Sequence, residues 1–225
     1  MRGMTSRTLP EELFLLALDD EDGKLHSGDA VVLGLAGAEL TELALADRIA
    51  FEDKKIVVTD AKPVGDAALD SALAGLVEKG EPVKPSSWLN KAKKHTRDTY
   101  ADRLANAGVI EENSKKVLGL IPVHRFPVKD AAAKAEIKAR LDKVVLGDVE
   151  GDDRTAALGA LLHACKLGRH VYPGGEGSDA RARLKELASE DAAAKGVSQA
   201  LAAINAAVTA GVVAAVVSSQ AASGQ

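Results

Sequence analysis

The chain has 225 residues, 46% of them hydrophobic and 28% charged. That is enough apolar material for one sizeable core and too much for intrinsic disorder. Its 29 basic and 33 acidic residues leave a net charge of -4, which argues against a surface wholly devoted to nucleic acid but leaves room for a local basic patch.

A single cysteine, Cys165, excludes an intramolecular disulfide and suits a reducing compartment. The N-terminus, Met1 to Arg7, is basic, but Leu9-Pro-Glu-Glu12 interrupts the apolar run that a signal peptide needs, so none is expected. Thr8 reads as an N-cap with Pro10 at the first helical position, opening a short helix through Leu13, Phe14, Leu16 and Ala17. The acidic turn Asp19-Asp-Glu-Asp-Gly23 lacks the alternation and the distal Glu of a calcium loop.

A second helix begins near Asp29 and runs through Leu45, and Ile49-Ala-Phe51 pairs with Lys55-Ile-Val-Val58 as a hairpin. Asp66 caps a helix whose buried face is expected to carry Leu69, Leu73, Leu76 and Val77. Ser86-Ser87 are expected to cap the next helix, Trp88 to Ala107, the most basic of the chain. A second hairpin is expected to pair Val109-Ile110 with Val117-Leu-Gly-Leu-Ile121, with Val123-His-Arg-Phe-Pro127 leading out. The repeated layout of helix followed by small hairpin resembles half of a winged helix, built to present a surface to a partner.

A charged helix from Ala131 to Val145, an Ala/Leu helix from Arg154 to Leu167, an irregular stretch from Gly168 to Gly177 and a polar helix from Asp179 to Ala188 follow. Val197 to Val217 is nearly uncharged, but it is built of Ala and Val and interrupted by Gln199, Asn205 and Thr209. A helix buried on all sides is expected there rather than a membrane span. The fold class is therefore mainly α: one globular domain over residues 8–218 with small β-hairpins, between flexible ends at 1–7 and 219–225.

Catalytic chemistry is not legible. Cys165 lies two residues after His163, on nearly the opposite helix face, so with His170 it reads as a packing thiol beside a capping histidine rather than a zinc site. There is no Gly-x-Ser-x-Gly elbow, and Pro173-Gly-Gly-Glu-Gly177 fits neither phosphate-loop spacing. Ser178 and Asp179 with Arg181 and Arg183 could hold a phosphate, although an ordinary N-cap is the simpler account. No catalytic residue, metal or cofactor is assigned.

Two features remain. Lys94 and Arg97 are three residues apart on the basic helix with Lys93 beside them, a spacing able to clamp a phosphate unless Asp98 and Asp102 neutralise it. Leu118, Leu120, Ile121, Val123 and Phe126 crowd a short segment between prolines, so alternation turns some outward unless the hairpin packs against the basic helix.

Thr8-Leu-Pro-Glu-Glu-Leu-Phe-Leu-Leu-Ala-Leu-Asp19, then Gly34-Leu-Ala-Gly-Ala-Glu-Leu-Thr-Glu-Leu-Ala-Leu-Ala-Asp-Arg-Ile49, Pro63-Val-Gly-Asp66, Trp88 and Arg97 to Ile110 follow one another in a familiar order. The chain resembles the Golgi phosphoprotein family, coat adaptors that bind phosphatidylinositol 4-phosphate, in its shorter bacterial form. The resemblance implies a four-helix centre surrounded by amphipathic helices. It also implies a non-enzymatic, cytoplasmic protein held peripherally on the inner face of a membrane by an anionic, phosphoinositide-like headgroup.

In the family the headgroup pocket uses an early Trp and Arg and two later Arg. Here the later pair falls on Lys94 and Arg97, the early Arg on Ala36, and the Trp near His26 or Ser27. The resemblance thus implies Lys94 and Arg97 as headgroup residues, Lys93 and His26 are added to them in place of the missing Trp and Arg, and the hairpin is implied to touch lipid or a second copy in a homo-oligomer. No nucleic-acid partner is expected; the competing reading is a winged-helix-type nucleic-acid binder using Lys91 to Arg103.

Overall fold

The computed structural model describes residues 7–117, 121–147, 152–189 and 204–214, with the backbone alone at 114–117 and 121–123. Helix α1 (Leu9–Ala17) opens on a capping box: the Glu11 carboxylate accepts from both the backbone N–H and the hydroxyl of Thr8. The chain then turns through the acidic loop into α2 (Gly28–Leu45). α2 is apolar on nearly every side and consequently lies inside, packed on α1, α4 and α6. One close approach depends on a missing side chain, since a Cβ on Gly34 would meet the Cys165 sulfur at 2.2 Å.

The first hairpin forms as expected, β1 (Ile49–Glu52) antiparallel to β2 (Lys55–Val58) with Ile49 opposite Val58. Asp66 caps α3 (Ala67–Lys79) by accepting from the N–H groups of Ala68 and Leu69. Leu69, Leu73 and Leu76 of α3 are buried, but Val77 turns outward at 43% exposure. Helix α4 (Pro85–Asn106) starts on Pro85, so Ser86 and Ser87 lie inside its first turn rather than capping it.

The second hairpin differs from expectation. β3 (Asn113–Val117) pairs with β4 (Ile121–Arg125), so the ladder is largely polar, with Val117 and Ile121 as its last pair and without Val109 or Ile110. Pro122 is tolerated because each strand of a two-stranded ribbon has a free edge. Ile110 pairs instead with Val128, outside this ladder.

The second half is α5 (Ala131–Val145), α6 (Asp153–Ala164), the single turn α7 (Gly168–Val171) and α8 (Ser178–Leu187). Within the final apolar stretch, residues 204–214 are helical, and Ile204, Val208 and Val212 are buried while Val213 is 50% exposed. Four-residue spacing puts the burial on one face, which corrects the expectation of a helix buried all round. No helix among the described residues is long and apolar enough to cross a membrane. The architecture is the expected mainly α single domain, with two small antiparallel sheets among the described residues.

Candidate functional site: the basic helix α4

The two halves of α4 face different environments. Trp88, Leu89, Thr96, Tyr100, Ala101 and Leu104 are buried and form its inner stripe. Thr96 donates its hydroxyl to the Val32 carbonyl at 3.1 Å, and Tyr100 donates to the Glu39 carboxylate at 3.1 Å, so both anchor on α2. Arg103 forks onto Asp66 at 2.7 and 2.6 Å and gives its Nε to Glu11 at 3.2 Å, tying α4 to the first turns of α3 and α1.

Outside that stripe, Lys91, Lys93, Lys94 and His95 are exposed and Arg97 is half-exposed. Asp98 pairs with its neighbour Arg97 at 2.8 Å rather than with Lys94. Among the described residues, no hydrogen bond or ion pair engages Lys93 or Lys94, and Lys91 lies 5.6 Å from the centre of the Trp88 ring. Four cations therefore meet one carboxylate between residues 91 and 98, a local surplus on a chain whose net charge is negative. Lysines offer a phosphate oxygen point charges, and an arginine offers it a planar fork.

The other expected headgroup residue, His26, is occupied elsewhere. Its Nε2 sits 3.2 Å from Asp19, and its ring stacks on His170 with centroids 3.9 Å apart. Ala36, where the resemblance puts the early Arg, is fully buried inside α2. Lys93, Lys94 and Arg97 thus share one helix surface, while His26 is held in the turn before α2.

The hairpin divides. Leu118 and Leu120 lie outside the described residues. Ile121 and Val123 stand in β4 opposite Val117 and Lys115. Phe126 corrects the expectation of an outward residue: it is 2% exposed and meets Phe14 edge-on at 5.3 Å. Its N–H donates to the Gly23 carbonyl at 2.8 Å, an approach open only because Gly23, at φ +66°, has no Cβ to strike the backbone of Phe126 and Pro127.

The remaining candidates resolve as structure. The Cys165 thiol is fully buried, contacts the Ala30 carbonyl, and is pushed up to about 12 by burial, which keeps it protonated. Gly177, not Ser178, precedes α8, and Arg181 donates to the carbonyls of Tyr172 and Gly174, closing the loop. Arg183 pairs with Glu186.

Two buried carboxylates escaped the sequence reading. Glu39 is held up at about 7, chiefly by burial, with Asp66 adding to the rise while Tyr100 and Arg103 oppose it. Glu12 is also raised by burial, against the pull of Arg140, whose Nη2 lies 2.5 Å away. The available signal was a lone Glu within an otherwise apolar helix segment, as in Gly37-Ala-Glu39-Leu40.

The Golgi phosphoprotein 3 (GPP34) family model matches residues 9–204, nearly all of the described core. A VPS74-like protein of Dictyostelium discoideum is 31% identical over 158 residues, covering 61% of this chain and 60% of that protein's length. The matched span takes in α1, the central α2, both hairpins and the basic α4, so the chain belongs to the Golgi phosphoprotein 3 (GPP34) family.

Proposed function

We propose that this protein is a non-enzymatic adaptor that docks on anionic phospholipid surfaces through the outward surface of α4. Membership of an adaptor family fits a non-enzymatic role. The observation that carries the docking is the exposed group Lys91, Lys93 and Lys94, of which Lys93 and Lys94 have no carboxylate partner among the described residues. Lys93, Lys94 and Arg97 take the headgroup phosphates, and long-range attraction to a negative leaflet adds about 1 kcal/mol per basic residue near the surface. The phosphoinositide class is favoured because a monoester phosphate offers more charge to a lysine pair than a diester does.

Vesicle flotation tests this. The protein should float with vesicles containing phosphatidylinositol 4-phosphate, less with phosphatidylserine, and not with phosphatidylcholine alone. Equal flotation with all three, or none with any, would overturn the reading. A DNA-shift assay in parallel should show no complex at physiological salt.

A further inference from the structure

The turn between α1 and α2 carries one histidine and α7 carries another, and their rings lie against each other. The centroids of His26 and His170 are 3.9 Å apart and the planes differ by 24°, a stacked pair. The turn is the fixed side of this contact. The His26 N–H donates to the Ala17 carbonyl at 2.9 Å, and Leu18 and Leu25 form an antiparallel bridge. The loose side is α7, a single turn of four residues with none buried and no side chain capping its start. His170 Nε2 lies 3.2 Å from the Leu18 carbonyl. Among the described residues, no other side-chain hydrogen bond or ion pair ties α7 to the first two helices.

The Leu18 carbonyl can only accept, so the neutral His170 ring carries its proton on Nε2 and a second proton goes to Nδ1. The same carbonyl accepts from Lys134 of α5 at 2.6 Å, and that side chain is only 15% exposed. A charged His170 would therefore share one carbonyl with an ammonium. The carboxylate aimed at the pair is Asp19, 3.2 Å from His26 Nε2. The neighbouring charges are engaged elsewhere: Asp20 with Lys134, Lys138 with Asp142, and Arg181 of α8 with the carbonyls of Tyr172 and Gly174. Leu16, from α1, carries no charge, and Arg169 of α7 is exposed.

Two stacked rings thus have one carboxylate between them. One charged ring is met by Asp19, but two at this separation repel in a half-buried place. Burial first, and then the neighbouring His26, hold His170 below the ordinary histidine range; Lys134 adds to this, while the Leu18 carbonyl and Asp19 oppose it.

We propose that the His26–His170 stack is an acid-released clasp, which holds α7 against the turn between α1 and α2 while at most one ring is charged and lets it go when both are. Below about pH 6.5 the open form takes up a proton that the closed form resists. Closure is therefore full above that pH and weakens as the pH falls. Release is local, because the turn stays pinned to Ala17. His170 and Val171 line one end of a half-open groove of about 330 Å³ between α1, α5 and α7, so release uncovers that end. No α4 residue takes part, so the clasp is independent of membrane docking.

The test is amide hydrogen exchange of the full chain at pH 7 and pH 5, corrected for the intrinsic rate, beside an NMR titration of the imidazoles. The N–H groups of Val171 and Tyr172 donate to Leu167 and Gly168 at 3.0 and 2.9 Å. Their protection should fall roughly fivefold on acidification, while that of Leu40 in α2 should not. His170 should titrate below an ordinary histidine. His26→Phe keeps a ring in the stack without its charge, and should move that midpoint upward and reduce the acid loss. His170→Gln keeps a donor for the Leu18 carbonyl but takes no proton, so its α7 should differ by less than about twofold between the two pH values. Unchanged α7 protection in the wild type, an equal acid loss in His170→Gln, or a His170 midpoint that fails to rise in His26→Phe would each overturn the proposal.

Discussion

Arg97 and Arg103 stand six residues apart on one helix and behave as different kinds of residue. Arg103 is wedged between Asp66 and Glu11, two carboxylates from two other helices, with its side chain 29% exposed. Arg97 is 40% exposed and, among the described residues, pairs only with its sequence neighbour Asp98, itself 66% exposed. The comparison teaches that the inward half of α4 supplies fixation and the outward half supplies presentation.

The first way to break this contrast is Arg103→Ala. It strips two part-buried carboxylates of their shared partner and should cost about 3–5 kcal/mol in urea unfolding. A loss below about 1 kcal/mol would make Arg103 a surface residue like Arg97.

Next comes the pH dependence of Glu39, which Tyr100 anchors to the same inner half. Its carboxyl sits near 7 when folded against an ordinary 4.5. Between those values the folded chain keeps a proton that the unfolded chain has released. Stability from this group is therefore full below about pH 4.5 and is lost as pH rises through 7, a change on the order of 3 kcal/mol. Glu39→Gln should flatten the stability profile across that window. An unchanged slope would mean that Glu39 ionises freely.

Tyr100→Phe is expected to cost about 1–2 kcal/mol, because it leaves the Glu39 carboxyl without its hydroxyl donor. The smallest effect belongs to the outward half: Arg97→Ala should change unfolding stability by no more than about 0.5 kcal/mol.

Much of this division was readable in advance. The cap at Thr8, the cap at Asp66 and the hairpin from Ile49 to Val58 rest on local chemistry, and the structure carries all three. The crowding of lysines on α4 was equally legible, because charge on a helix surface needs no tertiary knowledge. What was not legible depends on distant segments meeting. The ladder partner of Asn113 is Arg125, and the apolar run between them looked more strand-like than the polar segments that pair. Phe126 is drawn inward by Phe14, far away in sequence. The resemblance puts the headgroup Trp near His26, and nothing in the sequence says that this imidazole stacks on His170. The sequence reads Arg103 as one more cation of the basic helix and assigns Glu39 no role, because a charge in a single sequence defaults to the surface and only packing shows which charges are enclosed.

The most direct measurement is flotation of the double variant Lys93→Glu, Lys94→Glu beside the wild-type chain, on vesicles containing phosphatidylinositol 4-phosphate, with thermal unfolding of both. The two halves of α4 being separable, the variant should melt with the wild type and fail to float. A variant that melts normally and floats as well as the wild type would contradict docking through α4.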